Sequence, residues 1–109
     1  MFVETKKHGE TPLKEWQNDL LSAADVIERL GWCQYTAGFS TGPVCVMGAL
    51  HMAIFGTVSE MNYSERFHKA WKRFGHSVGG WGVGYNDAYG RTKEEVISAL
   101  RAAVRSGDG

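Results

Sequence analysis

A chain of 109 residues with twelve basic and twelve acidic side chains has a formal net charge of zero. That balance removes the long-range attraction used by nucleic-acid and anionic-membrane binders, so neither partner is favoured. With 43% hydrophobic and 22% charged residues, the composition is that of one globular domain, able to bury roughly two thirds of its unfolded surface without disulfide staples. No signal-type apolar run is present near Met1, and the apolar stretch from Val44 to Phe55 is shorter than the roughly 18 residues that span a bilayer. A soluble cytoplasmic protein with reduced Cys33 and Cys45 is therefore expected.

Residues 1–10 read as a flexible N-terminus. Thr11 can cap a first helix and Pro12 suits its first position, where a missing amide hydrogen costs nothing. Leu13, Trp16, Leu20, Ala23, Ile27 and Leu30 then recur at helical spacing up to Gly31, a natural stop. Residues 31–43 hold three glycines, a proline and interleaved aromatics, which predicts a structured loop or a short hairpin. A second helix is predicted from about Pro43 to Phe55; apolar nearly all round, it is expected to be the central one. Ser64 caps a third, with Phe67, Ala70, Trp71 and Phe74 inward, Arg66, Lys69, Lys72 and Arg73 outward, and Gly75 as its end.

Residues 76–91 read as a second irregular segment, in which Gly79, Gly80, Gly82, Gly84 and Gly90 alternate with Trp81, Tyr85 and Tyr89. Thr92 followed by Glu95 is a capping box that starts the last helix, whose inward residues are Val96, Ala99, Leu100, Ala103 and Val104. Fraying is expected over 106–109. The sum is a mainly α fold: a compact single domain over 11–105, a bundle of about four helices with two structured irregular segments.

Cys45 is the candidate nucleophile, since a thiol in the first turn of a helix is favoured as thiolate by the free amides there. A hydrolase would need a base, for which His76 is the candidate; His51 is nearly two turns from Cys45 and poorly placed. The competing reading, a small buried apolar cysteine, has the weight of residue statistics behind it. Cys33, Cys45 and the histidines lack the paired spacing of a zinc site, so no metal and no cofactor is expected. A Cys33–Cys45 disulfide could close across a hairpin, but a reducing compartment opposes it. Arg66, His68, Lys69, Lys72, Arg73 and His76 make a basic face on helix three, in the simplest case a solvated one.

Trp32, Tyr35, Trp81, Tyr85 and Tyr89 offer aromatic anchors in the two irregular segments, where glycines permit close approach. Asn86 and Asp87 shape a turn or contribute to the same surface, and Arg91 can pair with Asp87 or with a ligand carboxylate.

The runs Ala23-Ala-Asp-Val-Ile-Glu-Arg-Leu-Gly-Trp-Cys-Gln34, Pro43-Val-Cys-Val-Met-Gly-Ala-Leu50 and Tyr85-Asn-Asp87 with Gly90-Arg-Thr-Lys-Glu-Glu-Val96 resemble a family of small uncharacterised proteins, a domain of unknown function from actinobacteria and their bacteriophages. The resemblance spans about residues 13–105 and implies a helical bundle, with Tyr85 where the family usually has tryptophan. It supplies no activity. The residues and the resemblance together point to a non-catalytic binding module, a phage or actinobacterial accessory protein that engages a cellular protein through Trp32, Tyr35, Trp81, Tyr85, Asn86, Asp87, Tyr89 and Arg91. The alternatives are a small-molecule or nucleotide-binding protein that uses the same aromatics, and a cysteine hydrolase.

Overall fold

A computed structural model describes residues 12–106. Five helices follow one another: α1 (Glu15–Leu30), α2 (Val46–Phe55), α3 (Glu65–Ser77), α4 (Gly82–Asp87) and α5 (Lys93–Ser106). The described residues form a mainly helical globule without a sheet, the small bundle expected. Thr11, the expected tail 1–10 and residues 107–109 of the expected tail 106–109 lie outside the described residues, whereas Ser106 is the last residue of α5. No described helix is long and apolar enough to cross a membrane.

The centre is α1 rather than α2. It packs against α5, α2 and α3, and it buries Trp16, Asp19, Leu20, Ala23, Ala24, Val26 and Ile27. Ala23 and Ala24 are fully covered, and their small side chains let neighbouring helices close on α1 from more than one side. The apolar far end of α2, Met52 to Phe55, is only half-buried, so a helix that is hydrophobic all round here ends at the rim of the core. Its start is also later than Pro43: Cys45 is the cap, and its thiol sulfur accepts the Gly48 amide at 3.4 Å.

Asp19 is a buried carboxylate on α1. Arg66 of α3 meets it with two hydrogen bonds, Nε at 3.0 Å and Nη2 at 2.8 Å, and reaches Glu15 at 3.5 Å. Arg66 thus ties α3 to α1 instead of joining an outward basic face. Arg73 also turns to α1, with its guanidinium 4.7 Å from the centre of the Trp16 ring.

The turn between α2 and α3 is pinned by fully buried His51. One ring nitrogen, Nδ1, faces the Thr57 carbonyl, and Nε2 accepts the Asn62 amide at 2.7 Å. The partners assign the neutral tautomer with the proton on Nδ1. Both nitrogens are therefore spent on backbone.

Ser64 caps α3, its hydroxyl accepting the Phe67 amide at 3.2 Å. The helix runs past Gly75 to Ser77; the reversal comes at Gly79 and Gly80, both at positive φ, with the Gly80 amide bonded to the Gly75 carbonyl at 2.7 Å. The segment predicted to be irregular then forms α4. The capping box of α5 forms as read: Thr92 N–H to Glu95 Oε1 at 3.0 Å and Glu95 N–H to Thr92 Oγ1 at 3.2 Å.

Candidate functional site

The two segments singled out by glycine and aromatic content lie against each other. The first, residues 31–43, continues to the Cys45 cap as a 31–45 loop and is not a hairpin. Its backbone folds around Val44, which forms one bridge parallel to Trp32 and one antiparallel to Gly38. Gly38 has φ +98°, and a Cβ there would run into the Pro43–Val44 backbone. Gly48 has the same role on α2, since a Cβ would strike the Ala37 carbonyl. Glycine at both places lets the loop lie directly on the helix start.

Asn86, on α4, fastens the second segment to the first. Its side chain is 1% exposed, and its four hydrogen-bonding positions are filled. Oδ1 accepts from Trp32 Nε1 at 2.7 Å and from the Val46 amide at 2.9 Å. Nδ2 donates to the Cys33 carbonyl at 3.2 Å and to Asp87 Oδ1 at 2.8 Å. Because Val46 opens α2, Asn86 caps that helix from a distant part of the chain. Gln34 adds a clip that residue type alone did not suggest: its Nε2 reaches the carbonyls of Asn86 and Ala88, both at 3.1 Å.

These bonds sort the aromatic candidates. Trp32 is turned in, with its indole N–H on Asn86 and its ring against the core. Tyr85 is turned in as well. It closes a series of ring contacts through α3, Tyr63–Phe67–Trp71–Phe74–Tyr85, with centroids 5.6 to 6.2 Å apart. The Arg91 guanidinium stacks on the Tyr85 ring at 3.7 Å. It donates to the Tyr85 carbonyl at 2.8 Å and pairs with Glu95 at 3.5 Å, so it does not pair with Asp87. Tyr35, Trp81 and Tyr89 remain exposed, at 75%, 69% and 103%.

Besides an open one between Tyr85 and α5, two concavities meet α4. One, of about 190 Å³, is lined by Tyr35, Thr36, Ala37, Cys45, Met47, Val83, Asn86 and Asp87. Tyr35 stands there at φ +71°, the one non-glycine residue with positive φ among the described residues. A left-handed tyrosine costs roughly 1–2 kcal/mol, offset in part by its amide's bond to Asp87 Oδ1 at 3.0 Å. The other, of about 270 Å³, is lined by His68, Trp71, Lys72, Gly75, His76, Gly80, Trp81 and Gly82. Trp81 lies over Gly84, and Gly82 sits under the Trp71 and Phe74 rings, where a Cβ would collide.

The placement weakens the nucleophile reading. Cys45 is nearly buried, and burial pushes its thiol up, with the Asp87 charge adding to the rise, against the pull of the Gly48 and Met47 amides. Desolvation outweighs the helix-start effect that favoured a thiolate. Cys33 is pushed up as well, first by burial, then by Cys45 and Asp87. His76 lines the other concavity, and His51 is committed to backbone. Both cysteines are free thiols. No cluster of three or more potential metal ligands occurs among the described residues.

No curated protein and no solved structure matches the chain. Residues 12–106 match the family of unknown function DUF6197. That span covers the five helices and both segments of the candidate site, and the chain belongs to this family.

Proposed function

We propose that this chain is a non-catalytic binding module that engages a cellular protein, and that it works in the cytoplasm as an actinobacterial or phage accessory protein, in the host cytoplasm if phage-encoded. The carrying observation is Trp81, 69% exposed on a backbone held by α3 and α4 and set in a concavity with Trp71, Lys72, His68 and His76. An exposed indole on a rigid frame gives up little conformational freedom on binding, which is why such side chains anchor interfaces. Among the described residues His68, Lys69 and Lys72 form no ion pair, which suits a partner surface with acidic groups around an apolar anchor. Trp32, Tyr85, Asn86 and Arg91 serve this reading by fixing α4, and exposed Tyr35 and Tyr89, with Asp87, extend the proposed surface beyond the Trp81 concavity.

The test is capture from an actinobacterial lysate followed by binding of the purified partner to the parent, Trp81→Ala and Lys72→Glu. Loss of at least about tenfold in affinity for both variants supports the reading. A partner bound equally by all three proteins removes this surface from consideration.

A further inference from the structure

We propose that the cavity between the 31–45 loop and α4 binds an aliphatic ammonium group, with the Asp87 carboxylate as counter-ion and Ala37, Met47 and Val83 as the apolar wall around its stem. The site is separate from the Trp81 concavity and does not depend on the reading given above. A volume of about 190 Å³ suits a short alkyl chain with a charged head, not a nucleotide.

Charge decides the sign of the ligand. Asp87 is the one residue lining this cavity with a formal charge, because the neighbouring Cys45 is held as the neutral thiol. Its Oδ1 already accepts two hydrogen bonds, from the Tyr35 amide and from Asn86 Nδ2. Its Oδ2 takes no partner among the described residues, and no Lys or Arg there pairs with Asp87. Arg91, close in sequence, is spent on Tyr85 and Glu95. The uncompensated charge is felt by both thiols, which it pushes up.

The other polar side chain deep in the wall does not compete for the ligand. Asn86 has all four positions filled, so neither its oxygen nor its nitrogen can turn to a guest. An anion would face Asp87 without a cationic partner, and an uncharged polar guest would leave the carboxylate uncompensated. A cationic head satisfies it. Tyr35 completes the arrangement at the rim: its left-handed backbone delivers the amide to Asp87, and its exposed ring can stack against a cation. The ammonium can belong to a free alkylamine or to a lysine side chain of another protein.

The experiment is a heteronuclear NMR titration of the full chain with n-butylammonium chloride, with n-butanol and sodium chloride as controls and Nα-acetyl-lysine amide as a second probe. Saturable shifts confined to the amides of Tyr35, Thr36, Cys45, Val83 and Asp87 are expected for butylammonium and absent for both controls. Asp87→Asn keeps an acceptor for the Tyr35 amide and removes the charge; it should weaken binding about tenfold or more. Val83→Trp, which fills the cavity and leaves the Asp87 charge in place, should do the same and covers the case of Asp87→Asn failing to fold. Binding of the blocked lysine as well assigns the site to a protein side chain, whereas butylammonium alone assigns it to free amines. Shifts reproduced by butanol or salt, or left unchanged by the substitutions, overturn the proposal.

Discussion

Replacing Asn86 by alanine should be among the most damaging single changes outside the apolar core. The substitution orphans the Trp32 indole N–H, the Val46 amide and the Cys33 carbonyl at once. A buried polar group left without a partner costs about 1–3 kcal/mol. Val46 is 1% exposed and should lose about 2 kcal/mol, while half-buried Trp32 and Cys33 can recover most of their loss from water. We expect about 3 kcal/mol in total, a large share of the 5–15 kcal/mol typical of a domain. With a urea slope of about 1–1.5 kcal/mol per molar for a chain of this size, the midpoint should fall by about 2–3 M. Trp32→Phe removes one of the stranded donors in advance, so the double variant should lose about 1 kcal/mol less than the sum of the single variants. A loss below about 1 kcal/mol for Asn86→Ala, or strict additivity with Trp32→Phe, would falsify the role of Asn86 as the clasp between α4 and the 31–45 loop.

Three other comparisons separate contact from conformation and charge. Gly48→Ala drives a Cβ into the Ala37 carbonyl and should cost more than about 2 kcal/mol, whereas Gly56→Ala, at φ +79° with open space around it, should cost about 1 kcal/mol in urea denaturation; the reverse order would refute the close approach. Arg66→Ala strands the buried Asp19 carboxylate and should cost about 2 kcal/mol, a value discounted because Arg66 is 46% exposed; adding Asp19→Ala should restore part of it, and no recovery would argue against the pair. The two thiols, both raised by burial, should react with a mild electrophile at pH 7.5 more slowly than free cysteine. Their contribution to stability is fully present below the ordinary thiol range, about 8.5, where both states are protonated. It is lost as pH rises through the folded-state values, because the unfolded chain ionises first. The urea midpoint should therefore fall more between pH 8 and 10 in the parent than in the Cys33→Ser, Cys45→Ser variant, and equal slopes would contradict the shift.

The parts of this fold that were legible in the sequence are those governed by local chemistry. The Thr92–Glu95 box and the Ser64 cap act within four residues, and the α1 stripe repeats at helical spacing from Trp16 on, so each can be read without knowing what lies opposite; Pro12 and Leu13, expected in the same helix, precede its Lys14 cap, and Leu13 is exposed. α4 could not be read this way. Its sequence Gly-Val-Gly-Tyr-Asn-Asp is poor in helix formers, and its shape is held by long-range bonds from Trp32, Gln34, Cys33 and Val46. Residue type gave the right neighbourhood for the site but not its orientation. Trp32 and Tyr85 look as available as Trp81 in the sequence, and only Asn86 and Arg91 decide that the first two turn inward. The outward basic face of α3 failed at Arg66 for the same reason: its partner, Asp19, is 47 residues away.

The adjacent residues Asn86 and Asp87 show how a scaffold can be finished at one position and left open at the next. Asparagine carries two donors and two acceptor sites, and the fold uses all four, on the Trp32 indole, the Val46 amide, the Cys33 carbonyl and Asp87 Oδ1. Such a residue can hold a surface but has nothing left with which to bind. Asp87 has one oxygen engaged in the same network, by the Asn86 amide and the Tyr35 amide, and that engagement fixes the direction of the carboxylate. Its second oxygen takes no partner, and the residue lines a cavity without a counter-ion among the described residues. A charge whose direction is set by the buried Asn86 side chain and the Tyr35 amide, but which they do not neutralise, is pre-organised for a cation, because little rotamer freedom remains to be lost on binding. The same logic separates Trp81 from Trp32: an aromatic held by its backbone, with its ring exposed, is available to a partner, and one held by its indole N–H is not.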